Sequence, residues 1–419
     1  MLKYAREITD PIHKHIKITD IEMEIIDTPF FQRLRRIKQL AGAHLVYPSA
    51  QHSRFEHSVG SMHLAGLAGE HLLLEGTIES KETIQELRIA SLLHDIGHGP
   101  FSHLFEEYLK TVNMENHETI GSKIIRKTEV GDVLKKHGYS PLEISKLSFG
   151  ESKIRYKNEI IAGSLSSDLM DYLPRDSFFT GAEYGKIDYN RIISSLKVIS
   201  DDRIALSDSA LSSFESMLIS RYQMFRAVYF HKTVRSVEVM LLNALIRADR
   251  IVNFGNFSLS EYLSLTDDEL ISKIKSVPSN LIPQSRLLID NYLNRVLLKC
   301  VYEKFIQKKE NHHFVRDRKS LGIIKDRISE ISGVKEEDVF LDTAGISSVP
   351  LAPNKKEMKS LLLVNDEQAI KKPMSEIPLV NSISGYLDMI RVYTTSRYRD
   401  QVKNISKKVL EDEDLINVI

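Results

Sequence analysis

The stretch Leu92–His103, LLHDIGHGPFSH, places an adjacent His–Asp pair and two further histidines within a dozen residues. Imidazole and carboxylate at that density suit a divalent-metal site facing an anionic substrate, because both groups bind such ions directly. The run Ile84–Leu93 has helical apolar spacing, and Gly97, Gly99 and Pro100 predict that this helix stops near Gly97. Pro100 then opens a second helix, Phe101–Leu109, at its first position. On that reading His94 and Asp95 occupy a helix end, with His98 on the turn and His103 on the next helix.

The density continues on both sides. His57 lies upstream in SRFEHS and His117–Glu118 downstream in NHET, and nine of the fifteen histidines fall between His44 and His117. Ser61–Leu74 is periodic, and Asn116 is a plausible N-cap for a helix through Lys127. A mononuclear N/O site needs several ligands from different elements and an open position for water or substrate. His94 and Asp95 supply two from one helix end and His57 a third. Asp168 is the natural fourth, on a helix Asp168–Phe179 interrupted at Pro174, although the residues alone leave Asp171 and Asp176 eligible. Metal-assisted hydrolysis is the chemistry this set implies.

At 419 residues the chain is long for one compact core, which predicts a main domain and a smaller lobe. Hydrophobic residues at 42% and charged residues at 27% describe an ordinary soluble globular chain. The 57 basic and 57 acidic residues cancel, so no global field draws the chain to nucleic acid or membrane. A single cysteine, Cys300, excludes an internal disulfide and a cysteine-rich metal site. No secretory signal is visible in the first twenty residues, and no apolar run approaches the ~20 residues that span a bilayer. A cytoplasmic protein with no membrane partner is the expectation.

Helical periodicity dominates the rest. Ile21–Leu40 reads as one helix, and Leu211 to about Ile251 as a long one, free of proline and glycine. Leu196–Ser200 and Arg203–Leu206 read as a short hairpin. Near residue 308 the composition shifts: Lys308–Lys319 is charged, and β-branched or apolar runs follow at Val339–Leu341, Leu361–Val364 and Ile390–Tyr393, alternating with helical segments such as Leu321–Ile331. The fold expected is mainly α, with a helical core over 1–307 and a small α/β lobe over 308–419 that serves regulation or oligomerisation.

The order His57…His94–Asp95…Asp168 resembles the HD-domain metal phosphohydrolases, and closely the deoxynucleoside triphosphate triphosphohydrolases among them. The likeness is carried by DPIH at Asp10–His13, DTPFFQRLRRIKQL at Asp27–Leu40, SRFEHSVG at Ser53–Gly60, HDIGHGPFSH at His94–His103, NHE at Asn116–Glu118, DLMDYLPRD at Asp168–Asp176 and YFHK at Tyr229–Lys232. It implies an HD-domain core in which His57, His94, Asp95 and Asp168 bind one divalent ion (Zn, Fe, Mn or Mg). It implies cleavage of a dNTP to deoxynucleoside and inorganic triphosphate. His117 with Glu118 resembles the histidine–acid pair beside the reacting phosphate, His98 and His103 would be donors near the 5′-oxygen, and Glu106 would orient them.

The same resemblance assigns Arg54 to the α-phosphate, Arg221 to the γ-phosphate and Tyr229 to the sugar. Arg221 and Tyr229, eight apart on one helix, would share a face. Tyr172 and Asp176 match the pair around the 3′-hydroxyl, while Gln39 and Leu40 close against the sugar, a wall that disfavours ribose. Leu169 and Phe225 depart from the family pattern, replacing a phosphate-contacting lysine and a base-facing histidine. Asp27, Gln32 and Arg35 match the positions that recognise a GTP activator; a capped helix start, with Asp27 as the cap, is the plainer account. Arg191, His231 and Lys232 match a second nucleotide activator position, where Ser207 and Ser209 replace expected basic residues. A homo-oligomer, dimer or tetramer, is implied. Two other functions compete: an HD phosphohydrolase acting on a nucleoside monophosphate or alarmone, and a nucleic-acid-binding regulator with a vestigial metal site, using a stripe of Arg221, Arg226, Lys232, Arg235, Arg247 and Arg250.

Overall fold

The computed structural model describes residues 2–78, 80–112, 115–199, 202–306, 318–344, 360–365, 368–373 and 388–411. Its centre is the antiparallel helix pair α3 (Arg54–Leu74) and α4 (Lys81–Leu93). Ser53 caps α3 in a capping box with Glu56, which starts the helix seven residues before the apolar period becomes visible at Ser61. Helix α3 is buried on nearly every side, because it separates two apolar clusters. Phe55, Val59 and Met62 join one, and Leu64, Ala65, Ala68 and Leu72 join the other.

The first cluster gathers the N-terminal hairpin β1 (Arg6–Asp10) and β2 (Lys14–Ile18), α1 (Asp20–Ile26), α2 (Pro29–Gln32), and α5 (His103–Val112) through α8 (Pro141–Ser148). The second gathers α9 (Arg155–Ala162), α10 (Ser167–Thr180), α11 (Tyr189–Ile193), the β3–β4 hairpin (Leu196–Val198 and Ile204–Ser207) and α12 (Leu211–Met224). The long α13 (Lys232–Val252) returns to the first cluster with α14 (Leu259–Ser264), α15 (Asp267–Ser276) and α16 (Pro283–Leu293). The mainly helical fold with small C-terminal sheets is as expected, and no helix among the described residues is long and apolar enough to cross a membrane.

Several elements differ from their sequence reading. Ile21–Leu40 is not one helix. Asp27 ends α1, Thr28–Pro29 restart the chain as α2 with proline at its first turn, and Arg33–Arg36 tighten into a 3-10 turn. Asp27 is therefore a C-terminal residue of α1, not the cap of the next helix. Pro100 does not open α5: Phe101 and Ser102 sit at φ 55° and 58°, and the helix begins at His103. Helix α10 runs straight through Pro174, losing one internal hydrogen bond without ending. The long stretch after Leu211 is broken: Phe225–Tyr229 form a π turn, and His231 caps α13 afresh.

The C-terminal part carries two sheets that reach back into the helices. β5 (Lys299–Ile306), β9 (Asp388–Thr394) and β6 (Val339–Ala344) pair in the order β5–β9–β6, covered by α17 (Arg318–Ser332) and α18 (Arg399–Glu411). β7 (Ser360–Asn365) pairs parallel with β4, Leu206 opposite Leu363, and carries β8 (Gln368–Pro373) on its other edge. β5 thus joins the C-terminal sheet from the near side of the compositional shift, and residues 307–317 lie outside the described residues.

Candidate metal centre and active site

Three of the four expected ligands converge. Single ligand atoms of His57 on α3, His94 at the end of α4 and Asp168 on α10 lie within 4.8 Å of one another. His57 Nε2 is 3.1 Å from Asp168 Oδ1, and His94 Nε2 is 3.8 Å from the same oxygen. Asp95 stands beside them, its two oxygens 3.6 Å from His57 Nε2 and 3.4 Å from His94 Nε2. It also receives Arg54 Nη1 in a close ion pair and His98 Nε2 at 3.2 Å.

The donor set fits a cation because the rear of each imidazole is occupied by an acceptor. His57 donates from Nδ1 to Asp171 Oδ2 at 2.8 Å, and His94 donates from Nδ1 to the carbonyl of Ser91 at 2.6 Å. Carboxylate and carbonyl oxygens only accept, so in the neutral form of each ring the hydrogen sits on Nδ1 and the Nε2 lone pair faces carboxylates. His94 Nε2 is buried without a hydrogen-bond partner. Facing lone pairs at these distances repel unless positive charge lies between them. The same demand shows in His57 itself: burial opposes its protonation, yet Asp168, Asp171 and Asp95 lift its pKa to about 10.

Behind His57 runs a buried ionic column that the sequence did not disclose. Asp171 accepts from His57, from His13 Nε2 at 2.6 Å, and from Arg175 Nε and Nη2, both at 2.9 Å. Arg175 continues to Asp10 at 2.8 Å. Burial raises the Asp171 carboxyl, but Arg175, then His13 and His57, hold it well below the usual range. Gly60 makes room for this column: a Cβ there would lie 2.0 Å from Asp171 Oδ1.

On the other side lies a histidine stack. His98 and His117 are parallel at 4.1 Å, and His103 meets His98 edge-on at 5.0 Å. Gly97 permits the approach, since a Cβ there would strike the His117 carbonyl at 2.0 Å. The acid paired with His117 is Glu106, whose Oε2 lies 3.0 Å from Nδ1 and 3.5 Å from His103 Nδ1. Glu118 is exposed in the first turn of α6 (His117–Lys127), so the adjacent pair read from the sequence is not the one formed. Burial, Arg54 and His117 push the pKa of His98 well down, leaving a neutral imidazole that donates to Asp95.

Beyond the ligands, α10 carries Tyr172 and Asp176 toward the π turn. Tyr229 donates to Asp176 Oδ2 at 2.6 Å, and His52, missed in the sequence, occupies Asp176 Oδ1 at 2.7 Å while stacking on Phe179. Tyr172 bridges the two groups, 6.5 Å from the His57 ring and 6.4 Å from Tyr229. Arg221 lies near enough to lower the raised pKa values of both tyrosines, and its Nε is buried without a partner. The π turn, not a shared helical face, brings it near Tyr229. Phe225 packs on both, and Leu169 is buried in the second apolar cluster. Arg54 is buried, with Nε on Ser102 at 2.7 Å and Nη1 on Asp95. Gln39 Oε1 is buried without a partner, and Leu40 packs against the small cluster of Ala43, Ala50 and Val234.

The remaining assignments scatter. Gln32 donates to the Ile26 carbonyl at 2.8 Å and accepts from Arg35 at 2.9 Å, and the Arg35 guanidinium covers Phe55; Asp27 is exposed beside them. Arg191 bonds Ser209 at 3.0 Å, at the start of α12, whereas His231 and Lys232 follow its far end. Twenty helical residues span roughly 30 Å, so one chain does not bring these together. The basic stripe is not a free face either: Arg235 pairs with Asp342 and Glu238, and Arg247 covers Phe340.

Comparison with known proteins follows this geometry. A model described as the HD domain matches residues 54–174, and one described as the HD associated region matches residues 187–414. The chain is 31% identical over 419 residues to an uncharacterized protein of Methanocaldococcus jannaschii, covering 97% of this chain and 82% of that protein. It is 29% identical over 437 residues to the deoxynucleoside triphosphate triphosphohydrolase SAMHD1 homolog of Dictyostelium discoideum, covering 99% and 82%. The crystal structure of a hypothetical protein from Aquifex aeolicus matches with a TM-score of 0.77 at 29% identity, covering 96% of this chain and 99% of that one.

Proposed function

The chain belongs to the HD-domain phosphohydrolase family, and on that premise we propose that it is a metal-dependent deoxynucleoside triphosphate triphosphohydrolase. The observation that carries the reading is the convergence of His57 Nε2, His94 Nε2 and Asp168 within 4.8 Å, each imidazole fixed from behind and Asp95 standing beside them. When bound there, a divalent ion supplies charge neutralisation and an activated water. The bond broken is that between the α-phosphorus and the 5′-oxygen; water oxygen joins phosphorus and a proton reaches the departing oxygen.

In this reading the chain's residues divide the work. His117, tied to Glu106, offers its Nε2 for proton transfer, with His103 beside it at the exposed rim. His98 stays neutral and holds Asp95 in place. Arg54 and Arg221 meet phosphate charge, Arg54 giving up part of its hold on Asp95 as substrate arrives. Asp176 accepts from the sugar hydroxyl with Tyr172 alongside, and Gln39 and Leu40 close the sugar wall. Asp27, Gln32 and Arg35 form the guanine-nucleotide activator position, and Arg191 meets His231 and Lys232 of another copy in a homo-oligomer.

Product analysis tests the reading. Each of the four dNTPs is incubated with Mn²⁺, Mg²⁺, Zn²⁺ or Fe²⁺, with and without GTP. Inorganic triphosphate with deoxynucleoside is expected. Orthophosphate or pyrophosphate alone transfers the site to a different phosphoester.

A further inference from the structure

Asp171 is three residues from a metal ligand, wholly buried, and absent from the converging ligand atoms. A carboxylate has about four lone-pair sites, and here each oxygen takes two donors. Oδ1 receives His13 Nε2 and Arg175 Nη2; Oδ2 receives His57 Nδ1 and Arg175 Nε. A saturated acceptor leaves His57 one neutral form, with hydrogen on Nδ1 and the lone pair on Nε2. Neither Asp171 nor His57 can turn without breaking a buried bond.

The column does not end there. Arg175 is fixed by Asp10, whose other oxygen accepts the backbone N–H groups of Ile12 and His13, both at 2.8 Å. The turn between β1 and β2 is thereby folded onto the rear of the metal ligand, and His13 reaches Asp171 across 158 positions of sequence. Lys14, next to His13, adopts φ 65° where the turn closes and pairs with Asp10 across the hairpin.

We propose that Asp171 is the positioning residue that gives His57 its coordinating tautomer, and that the N-terminal hairpin locks Asp171 through Arg175 and His13, so that residues 10–13 govern metal retention without touching the ion. The proposal rests on the metal reading above. It adds a class of residues whose loss releases the ion while all four expected ligands remain.

Equilibrium binding of Mn²⁺ and Co²⁺ to the full chain, read by calorimetry and by the Co²⁺ absorption spectrum, tests it alongside circular dichroism. Asp171→Asn is expected to weaken binding about 10- to 100-fold, the usual cost of losing an outer partner of a metal-bound histidine. His13→Gln keeps a donor at the Nε2 position and should stay within about threefold of the parent, whereas His13→Leu should fall about tenfold. Asp10→Asn gives the same reading should Asp171→Asn fail to fold. Folded Asp171→Asn and His13→Leu variants that bind as tightly as the parent overturn the proposal alone. A parent that binds neither ion overturns the metal reading and the proposal together.

Discussion

At the scale of single residues, the group of His57, His94, Asp95 and Asp168 was legible because three members lie in short motifs, and Asp168 could be picked only with the family resemblance. Its partners were legible only in part, since the resemblance named Glu106 as an orienter but paired His117 with Glu118. Glu106 reaches His117 from a neighbouring helix eleven positions away, and no local pattern prefers it to the adjacent Glu118. Asp168→Ala should abolish metal binding and turnover while the circular dichroism spectrum stays unchanged; full activity in that variant removes Asp168 from the ligands. Asp267 offers a pH test. Burial lifts its carboxyl to about 6, even though the N–H groups of Phe101 and Lys38 bond it. Its folded pKa exceeds its unfolded one, so its contribution is present below about pH 4 and lost as pH rises through about 6. Two units correspond to roughly 3 kcal/mol. Chemical denaturation across that window should show the loss, and Asp267→Asn should flatten it.

Elements were legible where apolar spacing is regular, as in α4 and α6, and illegible where backbone geometry changes without changing that spacing. A π turn holds one extra residue within a helical run, so Leu211 to about Ile251 reads as continuous although Tyr229 owes its place to the interruption. The break is clamped from the C-terminal sheet: Tyr393 donates to the Lys232 carbonyl at 2.8 Å, and Arg391 to the Phe230 carbonyl at 2.7 Å. Removing one such bond costs about 0.5–1.5 kcal/mol. Under the triphosphohydrolase reading, Tyr393→Phe should therefore raise the dNTP KM roughly two- to tenfold while metal affinity holds. An unchanged KM would detach the clamp from the substrate side.

For the molecule as a whole, composition pointed to a C-terminal unit but not to its partners, because strand pairing between distant segments leaves no mark in either. β5 went unread for that reason, whereas β1, β2 and β8 pair locally and went unread because their short, charged runs carry no clear apolar alternation. The separation of Arg191 from His231 and Lys232 belongs to this scale. Under the oligomer reading, Arg191→Ala and His231→Ala variants, each deaf to activator, should recover part of the response when refolded together, since mixed assemblies contain intact junctions. No recovery at any mixing ratio would assign the two residues to separate tasks.

The parallel union of β4 with β7 has a consequence for biogenesis. Leu206 waits for Leu363, some 150 residues later, before its edge is satisfied. While the chain is being made, the helices can assemble on the ribosome with that edge bare, an invitation to neighbouring nascent chains. A gene fragment cut at the compositional shift would freeze the protein in this state, and its insolubility would reflect a missing strand and not a failed helical core.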